Sequence, residues 1–296
     1  MYDVIIIGAG PAGLTAAIYA LRAGKSVLVL EALAYGGQII NTPEIDNYPA
    51  LPHVSGFDFA SALYKQALSF GAKVIFEAAA AIENNGETKT VVTSKNNRFE
   101  SNSVIIATGA KNRPMNIEHE KELIGKGVSY CATCDGMFYR NKDAAVVGGG
   151  NTALEDALFL SAICRRVYII HRRDEFRGDA KAVEQLKQKD NVEFVLDSVV
   201  SKLIGEERLN AVEVTNTNDG TARTIDVSAV FVAIGQMPNN EAFSNVVTLD
   251  EHGYIRAGES CETGTPGIFA AGDCRTKSLR QLTTAVADGS ISGSQT

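Results

Sequence analysis

The sequence predicts an α/β fold of two Rossmann-like, three-layer ββα domains, the second inserted into the first. A strand, glycine turn and helix occur in succession twice, and proline interrupts the pattern on either side of the second copy. In the first copy a β-branched run over residues 3–7 feeds directly into Gly8-Ala9-Gly10-Pro11-Ala12-Gly13, and a helical pattern follows over residues 14–23. Gly24 closes that helix, and residues 26–30 form a second strand that ends on Glu31. In the second copy residues 144–147 are the strand, Gly148-Gly149-Gly150-Asn151-Thr152-Ala153 the turn, residues 154–163 the helix and 167–170 the next strand. Pro114 and Pro238 set the boundaries: a discontinuous first domain, residues 1–112 and 240–296, surrounds an inserted domain, residues 113–239.

The bulk composition agrees with two soluble domains. A chain of 296 residues with 45% hydrophobic and 21% charged residues can bury a sizeable core. A net charge of -7 excludes a general binder of nucleic acid or of anionic membranes, which needs an excess of Lys and Arg. The first residues carry no basic targeting segment, and no apolar run is long enough to span a bilayer. Five cysteines, an odd number, do not read as a secreted disulfide framework, so a reducing cytoplasm is the expected location.

Three further apolar runs end in small residues: residues 104–109, closing on Ala107-Thr108-Gly109; 230–235, closing on Ile234-Gly235; and 267–273, closing on Gly272-Asp273. Each has the character of a buried parallel strand that delivers its carboxyl end to a ligand. Val/Thr alternation over residues 89–93 and 212–217, beside Asn-Gly-Glu and Asn-Asp-Gly turn signals, predicts an antiparallel hairpin added to each domain.

In Gly8-x-Gly10-x-x-Gly13 the first glycine permits a tight turn, the second lets backbone approach a pyrophosphate and the third lets helix and strand pack closely. The helix N-terminus adds free N–H groups and partial positive charge for phosphates. Glu31 stands where an acid accepts hydrogen bonds from ribose hydroxyls, so an adenine dinucleotide is expected here. The second turn, Gly148-x-Gly150-x-x-Ala153, is followed by a strand ending in His171-Arg172-Arg173, with Arg177 just beyond. Guanidinium groups at that position meet a 2′-phosphate with charge-assisted, often bidentate bonds, which selects NADPH over NADH.

Between the two turns lies Cys131-Ala132-Thr133-Cys134-Asp135. Paired thiols at this spacing suit thiol–disulfide exchange, because the second resolves the mixed disulfide formed by the first. Asp135 would carry the proton this chemistry needs if burial raises its pKa. A structural zinc site wants four ligands, and Cys164, Cys261, Cys274 and the four histidines are too scattered to complete one, so no metal is expected. The three remaining cysteines read as plain core or surface residues.

With both turns, CATCDG and HRRDEFR in view, the chain closely resembles the low-molecular-weight, bacterial-type thioredoxin reductases of the class II pyridine nucleotide-disulfide oxidoreductases, over nearly its whole length. The resemblance implies FAD in the first domain and NADPH beside the dithiol in the inserted one. Its flavin-contacting segments match Glu31, Ala32, Gly36, Gly37 and Gln38; Asn47 before Tyr48-Pro49; Ala107, Thr108 and Gly109; and Gly272 and Asp273, then Arg280, Gln281 and Leu282. Its nicotinamide-dinucleotide contacts match Gly149, Gly150, Asn151, Thr152, His171, Arg172, Arg173, Arg177, Ile234 and Gly235. By the same resemblance Cys134 faces the flavin, Cys131 attacks the disulfide of thioredoxin, Asp135 is the acid/base, and the protein is a homodimer.

The family's inserted domain turns on two linkers, here residues 111–114 and 235–240, to present nicotinamide or dithiol in alternation. Two departures stand out. Glu31 is glycine in some close members, which implies a different hold on the FAD ribose, and Ser292-Gly293-Ser294 reads as a frayed tail that weakens flavin retention. The alternatives are a ferredoxin-fed flavin thioredoxin reductase, a flavin-dependent dithiol oxidase of the same fold, a ferredoxin-coupled flavin reductase without need of the cysteine pair, and a redox-sensing or zinc-held module. The GGGNTA and HRRDEFR segments speak against the first of these.

Overall fold

Val4, Ile5 and Ile6 have no exposed surface and Ile7 almost none, which a strand achieves only when both its faces are covered. Withdrawing each such side chain from water stabilises the fold by about 1.5–3 kcal/mol. The strand Tyr2–Ile7 accordingly lies between Val27–Leu30 and Arg98–Ile106, parallel to both. The computed structural model describes residues 1–42 and 44–296. Among these residues the α-helices are α1 (Pro11–Arg22), α2 (Gly56–Ser69), α3 (Ala132–Asp135), α4 (Asn151–Ser161), α5 (Ala180–Lys187) and α6 (Leu282–Gln295). None of them is long and apolar enough to cross a membrane. The chain forms two compact units, one of Met1–Lys111 with Met237–Thr296 and one of Asn112–Gln236.

In the first unit Lys73–Ile75, Val27–Leu30, Tyr2–Ile7 and Arg98–Ile106 run parallel in that order. The long strand Arg98–Ile106 divides its far edge. Residues 98–101 pair antiparallel with Thr88–Thr93, while Val104, Ile105 and Ile106 pair parallel with Ile268–Ala270. The expected hairpin is present, with Ala79–Asn85 antiparallel to Thr88–Thr93. The period-two alternation of a strand sorts the side chains: Val4 and Ile6 pack with Leu14 and Ile18 of α1, and Ile5 and Ile7 with Ile82, Val91 and Ile255.

The second unit repeats the plan. Its parallel sheet runs Val192–Val195, Arg166–Ile170, Asp143–Val147, Ala229–Val232 and Val128–Ser129. Val146 and Ile169 face Leu154 and Leu160 of α4 and Leu186 of α5. Ala145, Val230 and Val232 face a three-stranded antiparallel sheet, Ser198–Ile204, Ala211–Asn216 and Ala222–Asp226, through Val200, Val212 and Ile225. The two chain crossings meet inside this unit, where Gln236 donates to the Asn112 side chain (3.0 Å) and the Arg113 N–H to the Gly235 carbonyl (2.9 Å).

One expectation is corrected. The Ser292-Gly293-Ser294 stretch is not a frayed tail but part of α6, which runs to Gln295. Gly289 and Gly293 lie one turn apart against α1, where an added Cβ would strike the Ala12 and Ala16 carbonyls. Small residues that look like a loose end in isolation are what let two helix backbones touch. Gly293→Leu is therefore expected to lower the unfolding free energy by about 1–3 kcal/mol through overpacking. Denaturant titration checks this, and an unmoved midpoint would show that the α1–α6 contact carries no weight.

Candidate active site

The first glycine turn is built as its spacing requires. Gly8 has φ +112°, open to glycine but strained for other residues, and a side chain there would collide with the Ala107 carbonyl. Among the described residues helix α1 starts at Pro11 without a side-chain cap, which leaves N–H groups of its first turn available. Glu31 accepts from the Ala9 N–H (2.7 Å) with one carboxylate oxygen and from the Leu33 N–H (2.9 Å) with the other. It thereby clamps the turn to the loop after its own strand. The Gly36 N–H donates to the Ala9 carbonyl (2.7 Å), and Gly37 lies against Gly10, so the Glu31–Gln38 segment and the glycine turn form one cradle.

The other segments of the first unit are tied to their neighbours at the carboxyl ends of the strands. Asn47 donates to Gln281 (3.0 Å), which begins α6 with a reciprocal capping box to Thr284. The Arg280 guanidinium lies over the Tyr254 ring, 4.0 Å from its centre. The Gly272 N–H donates to Asp288 (2.9 Å), a buried carboxylate that also holds Arg275 and Lys277. Burial pushes the Asp273 carboxyl up, against the pull of Lys277 and Arg280, and its Oδ1 is buried without a partner among the described residues. A glycine cradle, an uncapped helix start and an orphaned buried acceptor fit a phosphorylated, hydroxyl-bearing dinucleotide such as FAD.

Sequence reasoning missed Asn240. It is wholly buried, accepts from Thr108 (2.9 Å), and donates to the Gly253 and Cys274 carbonyls (both 2.9 Å). Those partners lie 132, 13 and 34 residues away in the chain, so no local pattern announces it.

In the second unit the HRRDEFR segment folds back on the second turn. The Arg177 and Gly178 N–H groups both donate to the Gly149 carbonyl (2.9 and 3.2 Å), and the Asp179 N–H donates to the Asn151 side chain (2.8 Å). His171 stands apart from the arginines beside it. Its ring is buried beneath Gly149, in the space a Cβ would need, stacks on Phe176 and bonds the Glu175 carbonyl (3.1 Å). Burial lowers its pKa, and Arg177, Arg172 and Arg173 push in the same direction against that carbonyl bond. The imidazole is thus a neutral floor, while the three arginines are exposed beside the turn. Thr152 is exposed in the first turn of α4, and past the strand Ala229–Val232 Ile234 is half-buried and Gly235 exposed.

Cys131 and Cys134 form a disulfide, with Cα atoms 5.3 Å apart. Cys131 caps the one-turn helix α3, and its carbonyl accepts from the Asp135 N–H (3.1 Å). Both sulfurs belong to half-buried residues. Asp135 accepts from the Ser129 hydroxyl at Oδ2 (2.6 Å), and burial raises its pKa against that bond. Just upstream, the buried carboxylate of Glu120 takes the Tyr130 hydroxyl (2.7 Å) and the Met115 and Asn116 N–H groups (2.9 and 2.8 Å). Neither Ser129 nor Glu120 was marked by the sequence. Among the described residues the trio with metal-ligand character is Glu44, Asp46 and His53, on the loop before α2, and it includes neither cysteine of the pair.

A redox disulfide in the same unit as one nucleotide turn, on a chain with a second such turn, is equipment for moving electron pairs between a nicotinamide and a disulfide; it defines a two-nucleotide disulfide oxidoreductase. Known relatives point the same way. The chain belongs to the pyridine nucleotide-disulphide oxidoreductase family, whose model matches residues 2–289. It is 40% identical to a thioredoxin reductase of Listeria innocua over 99% of this chain and 92% of that protein. The crystal structure of thioredoxin reductase from Streptococcus pyogenes superposes with a TM-score of 0.94 at 41% identity, covering 99% of this chain and 96% of that one. The thioredoxin reductase of Giardia duodenalis gives 0.93 at 34% identity, with the same coverages.

Proposed function

We propose that the chain is an NADPH-dependent thioredoxin-disulfide reductase, which passes two electrons from NADPH by way of FAD and the Cys131–Cys134 disulfide to a thioredoxin, as a homodimer in the cytoplasm. The observation that carries this reading is the disulfide itself, set on α3 with the buried carboxyl of Asp135 beside it. FAD when bound supplies an acceptor for hydride and a donor of the electron pair. The residues that would hold it are Gly8, Gly10, Pro11, Ala12, Gly13, Glu31, Ala32, Gly36, Gly37, Gln38, Asn47, Ala107, Thr108, Gly109, Gly272, Asp273, Arg280, Gln281 and Leu282. Arg172, Arg173 and Arg177 would grip the 2′-phosphate of NADPH over the turn Gly149, Gly150, Asn151 and Thr152. His171 supports that turn from below, and Ile234 and Gly235 follow Ala233, whose carbonyl lies against Gly148.

The chemistry left to the chain is proton and thiol chemistry. Two electrons entering the disulfide break the S–S bond and leave two thiolates. A proton from Asp135 neutralises one, and the thiolate of Cys131 attacks the target disulfide, with Cys134 resolving the mixed disulfide. Anaerobic titration of the yellow protein with NADPH and a thioredoxin tests the reading. One protein disulfide is expected to be reduced per NADPH consumed. A colourless protein that holds no flavin under gentle purification would refute it.

A further inference from the structure

Ser129 ends the short strand Val128–Ser129 and is buried, 3% exposed, directly beneath the dithiol motif. Its hydroxyl has two neighbours that matter. It donates to Asp135 Oδ2 (2.6 Å) and accepts from the Cys131 N–H (3.1 Å). A hydroxyl carries one proton, so donation to the carboxylate excludes donation to the Cys131 carbonyl, which lies at the longer distance of 3.3 Å. Oδ1 of Asp135 is buried and has no partner among the described residues.

We propose that Ser129 is the positioning residue for proton transfer at the dithiol: it fixes Asp135 by Oδ2, fixes Cys131 by its N–H, and leaves Oδ1 as the atom that exchanges the proton. The inference rests on the reading of Asp135 as the acid/base. When the S–S bond breaks on accepting an electron pair drawn from NADPH, both sulfurs are thiolates. The proton on Oδ1 passes to one of them, leaving a carboxylate, one thiol and one nucleophilic thiolate, so charge and atoms balance. The carboxylate so formed is where the Ser129 bond becomes charge-assisted and strongest.

Burial raises the Asp135 pKa and the Ser129 bond opposes it, so loss of that bond should raise it further. The titratable groups beside Asp135 are Tyr139 in the following turn, whose phenol responds to Asp135 and to Arg208, and the two cysteines once the disulfide opens; α4, the helix packed against α3, carries Glu155 and Asp156.

The test is the pH profile of turnover by the flavin-loaded enzyme, with thermal unfolding measured for each variant. Turnover that needs protonated Asp135 falls as pH rises through its pKa. Ser129→Ala is expected to move that alkaline limb upward by about one pH unit, the scale of one hydrogen bond to a charged group, and to lower the maximal rate about tenfold. Ser129→Thr, which keeps the hydroxyl, should restore the native limb. A native limb and rate in Ser129→Ala would overturn the proposal. Asp135→Asn separates the two claims: it should abolish the limb, and a limb that survives in it would instead sink the acid/base reading. Should Ser129→Ala not fold, Ser129→Gly removes the same hydroxyl and is read the same way.

Discussion

Cys131→Ser is expected to abolish reduction of the protein disulfide, by about a thousandfold or more, while NADPH still bleaches the flavin. The thiolate at position 131 is the proposed nucleophile toward the target, and a serine hydroxyl at neutral pH is neither ionised nor a partner for a disulfide. Losses of that size are typical when a covalent nucleophile is removed. The substitution is conservative in shape, and Cys131 is a cap whose backbone carbonyl holds Asp135, so the short helix should survive it. Stopped-flow spectra separate the two half-reactions. Retention of protein-disulfide reduction by Cys131→Ser would mean that electrons leave by another route.

Replacing Arg172 and Arg173 together with glutamine is expected to raise the Michaelis constant for NADPH by about a hundredfold and to leave that for NADH nearly unchanged. Each charge-assisted bond to a 2′-phosphate contributes about 1.5–3 kcal/mol, so two of them give at least that factor. Both side chains are exposed, and the net charge of -7 makes a local basic cluster conspicuous. Steady-state kinetics with both nucleotides decides the matter. An equal loss for the two would remove the arginines from cofactor choice.

What could be read from the sequence was whatever is local. The turns at Gly8 and Gly148, the acid after one second strand and the arginines after the other, and the cysteine pair all declare themselves within a few residues, because each obeys a rule of short-range geometry. The structure adds what depends on distant parts of the chain. Glu31 spends both oxygens on backbone N–H groups, one of them 22 residues away. His171 stands next to its arginines in sequence, yet its ring turns inward, under Gly149, where no local pattern places it. Ser129 and Asn240 are ordinary polar residues in sequence, and only burial and their partners give them meaning. The end of the last helix, Ser292-Gly293-Ser294, looks loose in sequence because Gly289 and Gly293 disclose their purpose only when α1 lies against them.

The remaining thiols have a consequence of their own. Cys164, Cys261 and Cys274 are all buried, and desolvation pushes each up to about 11, so at neutral pH almost none of any is ionised. Peroxide and alkylating electrophiles consume thiolates, not thiols, and must reach them. Peroxide attack on cysteine is therefore channelled to the one pair that a nicotinamide can regenerate, and the three buried thiols are spared.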